Sequence, residues 1–178
     1  MLSGIIDVIL ERRSIRNFKQ EEVPKEVLLK LVEAARWAPS GSNVQPWYFI
    51  IVNDKDTLGQ IYSFSPGLLG RPPSIVVFCS DKRMAFEKAG KLGKEVLCLM
   101  DIAMAAENLM LQATKERLGT CAVRSFNVMA VKKILKLPEH ISPELIVSIG
   151  YAVKEVKSPV KRMLEEISFF NKWGGEVK

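Results

Sequence analysis

The sequence predicts one layered domain of mixed α/β or α+β type, its sheet covered by helices. Three observations lead there. The chain has 178 residues, 48% of them apolar, enough for one sizeable core and with nothing that asks for a second domain, so residues 1–178 read as a single unit. Four β-favouring runs, at 47–52, 75–79, 120–123 and 145–153, are spread along it. Between and around them apolar residues recur at helical spacing, with no internal repeat and no low-complexity stretch.

Ile5, Ile6 and Ile9 follow Ser3, a capping residue type, and predict a short helix that runs into Arg12, Arg13 and Arg16. Pro24 stands at a favoured first helical position, and Val27, Leu28, Leu31, Val32 and Ala35 form an apolar stripe that Pro39 stops. Residues 39–46 are dense in turn-forming and hydrogen-bonding types and give way to the first strand. Pro66, Gly67, Gly70, Pro72 and Pro73 mark 63–73 as a mobile surface loop before the second strand. The longest helical pattern runs from about 94 to 117, is apolar over more than half its circumference, and is ended by Gly119. Ala103, Ala105 and Ala106 permit close approach, which suits a subunit interface as well as the central helix of a monomer. A third strand, a helix at 128–135 stopped by Pro138, a fourth strand and a basic then amphipathic tail follow.

The apolar runs 47–52 and 75–79 are too short to cross a bilayer and the first residues lack the layout of a secretory signal, so the expectation is a cytoplasmic protein with no membrane contact. Cys79, Cys98 and Cys121 have no CxxC spacing and read as small core residues, with neither a disulfide framework nor a metal site. The net charge of +6 is uneven: Arg12, Arg13 and Arg16 cluster around Ser14. A cluster that tight suits one phosphate better than a polyanion, which calls for a continuous basic stripe, so no nucleic-acid partner is expected.

No Gly-rich phosphate loop of Rossmann or Walker type is present, so side chains would have to hold a nucleotide phosphate. If the arginine stretch is extended, Arg12, Ser14 and Arg16 share one side, and guanidinium forks match phosphate oxygens. A basic helix end complementing the helix dipole is the other reading of the same residues. The run Pro39-Ser40-Gly41-Ser42-Asn43-Val44-Gln45-Pro46-Trp47 offers amides and hydroxyls to the edge of a heterocycle. His140, the single histidine, follows Pro138 in a loop and does not read as catalytic.

Arg-Arg-Ser-Ile-Arg-Asn-Phe some two dozen residues before Ala-Pro-Ser-Gly-Ser-Asn-Val-Gln-Pro-Trp resembles the opening of the nitroreductase family of FMN enzymes. The helix from Asp101 to Ala113, its Leu118-Gly119-Thr120-Cys121 exit and Ile149-Gly150-Tyr151 extend the resemblance nearly end to end. It implies an α+β layered fold, with a central, mostly antiparallel sheet flanked by helices and a long central helix at a dimer interface. It also implies a homodimer with two FMN sites between the subunits, and NADPH or NADH as donor to a nitroaromatic, quinone or similar small-molecule acceptor in ping-pong turnover. Arg12, Arg13, Ser14 and Arg16 would contact FMN, Arg16 nearest the pyrimidine end. Pro39, Ser40 and Gly41 would close over the flavin from the partner subunit, with Asn43 a further candidate. Ala122, Val123, Arg124 and Ser125 would pass the reactive edge, and Lys161 and Arg162 resemble late basic residues that complete the phosphate site. The sequence departs from the family at Arg124, where many relatives have glycine; this supports the alternative of an FMN-binding carrier or sensor without NAD(P)H turnover.

Overall fold

A computed structural model describes residues 4–176, so the expected cap Ser3 lies outside the described residues. Four strands, β1 (Trp47–Val52), β2 (Ser74–Asp81), β3 (Gly119–Val123) and β4 (Ile141–Gly150), form one antiparallel sheet in the order β1-β2-β4-β3. The two central strands are almost wholly buried, which explains why β2 reads as a continuous apolar run instead of an alternating one. On one face, α2 (Lys25–Arg36) and α5 (Cys98–Lys115) pack Leu28, Leu31, Ile102 and Leu109 against Val76, Phe78, Val147 and Ile149. On the other, α3 (Lys55–Ser63) and α6 (Val128–Ile134) bring Ile61 and Val131 onto Ile75, Val77 and Ile146. The result is the three-layer α+β arrangement with a mostly antiparallel sheet.

Element boundaries differ from the periodicity for local reasons. Pro24 caps α2 from one residue outside, with φ −55° and ψ 140°. Helix α5 starts at Cys98, after a π turn at Gly93–Leu97 in which Gly93 packs so tightly on the Ala85 carbonyl that a Cβ would lie 2.3 Å from it. At its other end Arg117, with φ 59°, makes the exit, and the Leu118 N–H donates to the Ala113 carbonyl at 2.8 Å. Gly119 therefore does not end the helix. It opens β3, where a Cβ would meet Ile15 at 2.6 Å.

Helices α3 and α4 (Lys82–Leu92) have no counterpart in the sequence periodicity. Each starts at an aspartate whose side chain accepts from a backbone N–H at 2.8 Å, Asp54 from Thr57 and Asp81 from Met84. Gly59 weakens the helical pattern of the first and a break at Ala89 and Gly90 that of the second. The tract Lys82–Lys115 is long and apolar enough to cross a bilayer by length and composition. Its α5 portion buries Cys98, Ile102, Ala105, Ala106, Leu109 and Ala113 inside the protein as a core helix.

The segment 64–73 is more firmly held than a mobile surface loop. Ser65 and Leu68 are buried, the Gly67 N–H donates to the Ser125 carbonyl at 3.0 Å, and the Phe64 carbonyl accepts from the Asn127 N–H at 2.8 Å. Strand β4 begins ahead of its apolar run, and its register against β2 shifts between Phe78 and Cys79. Pro143 lacks a ladder donor there, and the extra residue Glu144 turns its carboxylate towards Ser80 (2.7 Å) and Lys82 (2.8 Å). Beyond Tyr151 the chain is largely exposed, apart from contacts around the single turn α7 (Leu164–Ile167).

Candidate functional site

After α1 (Asp7–Glu11) the chain runs extended across one end of the sheet. Ser14 bridges Thr120, the Ile15 N–H donates to the Thr120 carbonyl at 2.8 Å, Phe18 bridges Ala152, and the Lys19 N–H donates to the Tyr151 carbonyl at 2.9 Å. Ile15 and Phe18 plug the core while Arg16 is exposed. Alternation along this extended stretch sets Arg12, Ser14 and Arg16 on the side opposite Arg13 and Ile15, while Arg13 takes the helix-end role, its guanidinium donating to the Leu10 carbonyl in the last turn of α1.

Arg12 is steadied by Glu107 of α5, Nε to Oε1 3.4 Å. Arg16 has no ion-pair partner among the described residues, only a long 3.5 Å contact from NH1 to the Ser14 carbonyl. Its backbone is clamped by Gly70, whose φ is +73° and where a Cβ would lie 2.0 Å from the Arg16 carbonyl oxygen. Arg13 goes with Ile15 to the opposite side. There its NH1 donates to the Leu10 and Arg12 carbonyls, in a cleft it shares with Arg117 and Lys154.

The loop after α2 is held in an unusual shape. Ser42, Asn43 and Gln45 all have left-handed backbone, with φ of 50°, 56° and 53°, a conformation that is mildly tolerated by Asn and costs the others of order 1–3 kcal/mol each. Ser40 fixes it by accepting from the Gln45 N–H at 3.0 Å through its hydroxyl and from the Asn43 N–H at 2.9 Å through its carbonyl. Asp101 of α5 accepts from the Gly41 N–H at 3.2 Å. Burial raises the Asp101 carboxyl above its ordinary range, and the Gly41 bond offsets only part of this. Among the described residues, no hydrogen bond or ion pair joins Pro39, Ser40, Gly41 or Asn43 to the arginine strand. Their anchors on α5, Asp101 and Glu107, are six positions apart and so point about 120° away from each other around the helix.

At the exit of β3, Ala122 is exposed and Val123 buried. Val123 and Ser125 lie so close to Gly67 that a Cβ there would come to 2.9 and 3.0 Å of their side chains. Arg124 extends over Phe126, its Cζ 5.2 Å from the ring centroid. Lys161 and Arg162 are exposed, and the structure does not bring them to the arginine strand: Arg162 binds Glu166, Nε to Oε2 3.4 Å.

Two buried hydroxyls that sequence reasoning missed stand without partners, Thr120 beside Ser14 and Ser65 on the segment packed against Ser125. A buried polar atom left unpaired is costly and calls for a partner, an ordered water or a bound group. Two guanidiniums and a serine hydroxyl along one extended stretch, with the Thr120 hydroxyl beside Ser14, match the chemistry of a phosphorylated ligand, FMN included.

Fold and side chains together define a layered α+β protein with a cluster of basic side chains at the end of its sheet. The chain belongs to the Nitroreductase family, whose sequence profile matches residues 9–68 and 63–151. It is similar to a protein of Archaeoglobus fulgidus with the provisional name NADH dehydrogenase/NAD(P)H nitroreductase, at 31% identity over 84% of this chain and 86% of the relative. It also resembles an FMN reductase (NADPH) of Bacillus subtilis, at 27% identity over 84% of this chain and 66% of the relative. Among solved structures, an FMN-dependent nitroreductase of Clostridium difficile R20291 superimposes with a TM-score of 0.80 at 30% identity, covering 94% of this chain and 99% of that one.

Proposed function

We propose that this protein is an FMN-dependent NAD(P)H oxidoreductase that reduces nitroaromatic, quinone or similar electron-poor small molecules. The observation that carries the reading is the clustering of Arg12, Ser14 and Arg16 on an extended stretch bridged to Thr120, whose buried hydroxyl has no partner. The names of the relatives support FMN as cofactor and NAD(P)H as donor. When bound, FMN supplies the two-electron chemistry, accepting hydride from the nicotinamide and passing electrons to the acceptor.

The chain's own residues do the rest. Arg12 and Ser14 bind the phosphate end; Lys161 and Arg162 would have to leave their exposed positions on the tail to join them. Arg16 holds a fixed positive charge where negative charge gathers on the reduced ring. The backbone of 122–125 orients the reactive edge, and Arg124 offers a cation to acidic acceptors. Donor and acceptor take turns in one pocket, which gives ping-pong kinetics.

The working unit is a homodimer. Gly41 is anchored to α5 through Asp101, and Pro39, Ser40, Gly41 and Asn43 make no hydrogen bond or ion pair to the arginine strand among the described residues, an arrangement that suits their closing over the partner's flavin. A cytoplasmic location accompanies this reading. The test is an anaerobic absorbance spectrum of the FMN-loaded protein before and after NADPH, then NADH. Bleaching that a nitroaromatic or quinone reverses is the expected result; bound but unbleached flavin would replace the proposal with the carrier reading.

A further inference from the structure

The segment 64–73, which packs on the Arg16 backbone through Gly70, also walls a cavity of about 490 Å³, a size that holds a small organic ligand. None of the residues expected at the flavin lines it. Leu58, Leu68 and Pro72 give it apolar walls, while Lys55, Arg71 and Glu22 stand on its lining. No ion pair engages any of these three charges among the described residues. Cations outnumber the carboxylate.

Two features show a cavity kept at a cost to the fold. Arg71 has φ 44°, a left-handed conformation that is strained for a long side chain and that glycine would adopt freely. That backbone carries the guanidinium to 5.7 Å from the centroid of the Tyr62 ring, and the Gln20 amide fixes it by donating to the Arg71 carbonyl at 3.1 Å. Gly59 sits in the middle of α3, where glycine is unfavourable, yet a Cβ there would meet no atom within 4 Å. Crowding does not demand this glycine. Its missing side chain leaves the cavity open.

We infer that this cavity is a second small-molecule site, distinct from the flavin site, for an aromatic carboxylate carrying a hydroxyl or amino group. The Arg71 fork and Lys55 take the carboxylate, Tyr62 and Pro72 hold the ring, and Glu22 accepts from the ring substituent.

The experiment titrates 6-hydroxy-2-naphthoate into wild-type protein, Arg71→Gly and Gly59→Phe by calorimetry, with and without saturating FMN. Arg71→Gly removes the guanidinium while relieving the backbone, and Gly59→Phe fills the cavity from the helix side, so the two fail independently if either disturbs folding. Wild type is expected to bind one equivalent per chain more than the variants, or to bind it at least tenfold more tightly, whether FMN is present or absent. The same stoichiometry and affinity in all three proteins, or no binding to any, overturns the inference. Because the readout is the difference between variants in both FMN states, it stands or falls separately from the flavin proposal.

Discussion

Replacing Arg16 by alanine removes a guanidinium that has no ion-pair partner in the protomer and leaves its Gly70-clamped backbone in place. A charge-assisted hydrogen bond contributes about 1.5–3 kcal/mol, so FMN affinity should fall roughly 10- to 100-fold with little change in melting temperature. The flavin potential should drop as well, by about 30 mV for each 1.4 kcal/mol of lost stabilisation of the reduced form. Fluorescence titration and potentiometry read the two effects; wild-type affinity would remove Arg16 from the site. Cysteines give a second prediction at this scale. All three are buried, and burial, helped by the charge of Glu144, pushes the Cys79 thiol up to about 12. A thiol reagent at neutral pH should leave Cys79 unmodified until denaturant is added. The arginine cluster was readable residue by residue, but its shape was open between an extended strand and a basic helix end until the fold buried Ile15 after α1. Thr120 and Ser65 were not, since a hydroxyl in a sequence carries no sign of whether its fold will bury it unpaired.

Buried carboxylates on two elements make opposite demands on pH. At the β4 bulge, burial would raise the Glu144 pKa, but its bonds to Lys82 and Ser80 and the Lys82 charge more than offset this and hold it below 4.5. A carboxylate depressed in the folded state stabilises above its unfolded value, so this contribution is full above about pH 4.5 and is lost as pH falls through the folded pKa. Glu144→Leu should cost about 2–3 kcal/mol at neutral pH, towards the low end for a broken buried pair because Lys82 is partly exposed, and should flatten the acid limb of the stability profile. Asp101 works the other way. Its raised pKa favours the protonated form, so its contribution is full below 3.8 and declines as pH rises through the folded value. Asp101→Asn keeps an oxygen for the Gly41 N–H and should abolish that decline, whereas Asp101→Leu should loosen the 39–46 loop and weaken FMN binding. Thermal melts across pH check both variants. Strands and the longest helices were legible at this scale because their apolar patterns are continuous. Helices α3 and α4 were not, because glycine interrupts each and only an aspartate cap announces it; the bulge follows from Pro143, whose meaning depends on a partner strand far along the chain.

At the scale of the whole molecule, apolar surface is left without cover. Leu99, Met100, Ala103 and Met104 form an exposed face on α5, and Val160 and Trp173 on the tail are 99% and 90% exposed. Contiguous patches of this kind belong to interfaces, in keeping with the proposed homodimer. The paired change Met100→Glu and Met104→Glu should yield a monomer by sedimentation velocity. It should lose FMN at the same time if the 39–46 loop serves the partner's site; a monomer that keeps full FMN affinity would separate cofactor binding from assembly. Charge and helix pattern left both monomer and dimer open in the sequence, because an alanine stripe serves either a core or a subunit contact until neighbours fill one side of it.

The two bridges that hold the arginine strand, Ser14 to Thr120 and Phe18 to Ala152, also set a schedule. A ribosome delivers Arg12, Ser14 and Arg16 among the first residues of this chain, but the strand on which they align has nothing to pair with until most of the remainder has emerged. A nascent chain would therefore carry Arg12, Ser14 and Arg16 before the bridges that align them can form. Under the proposed function, cofactor binding would follow the pairing of this stretch with residues 120 and 152 and not precede it.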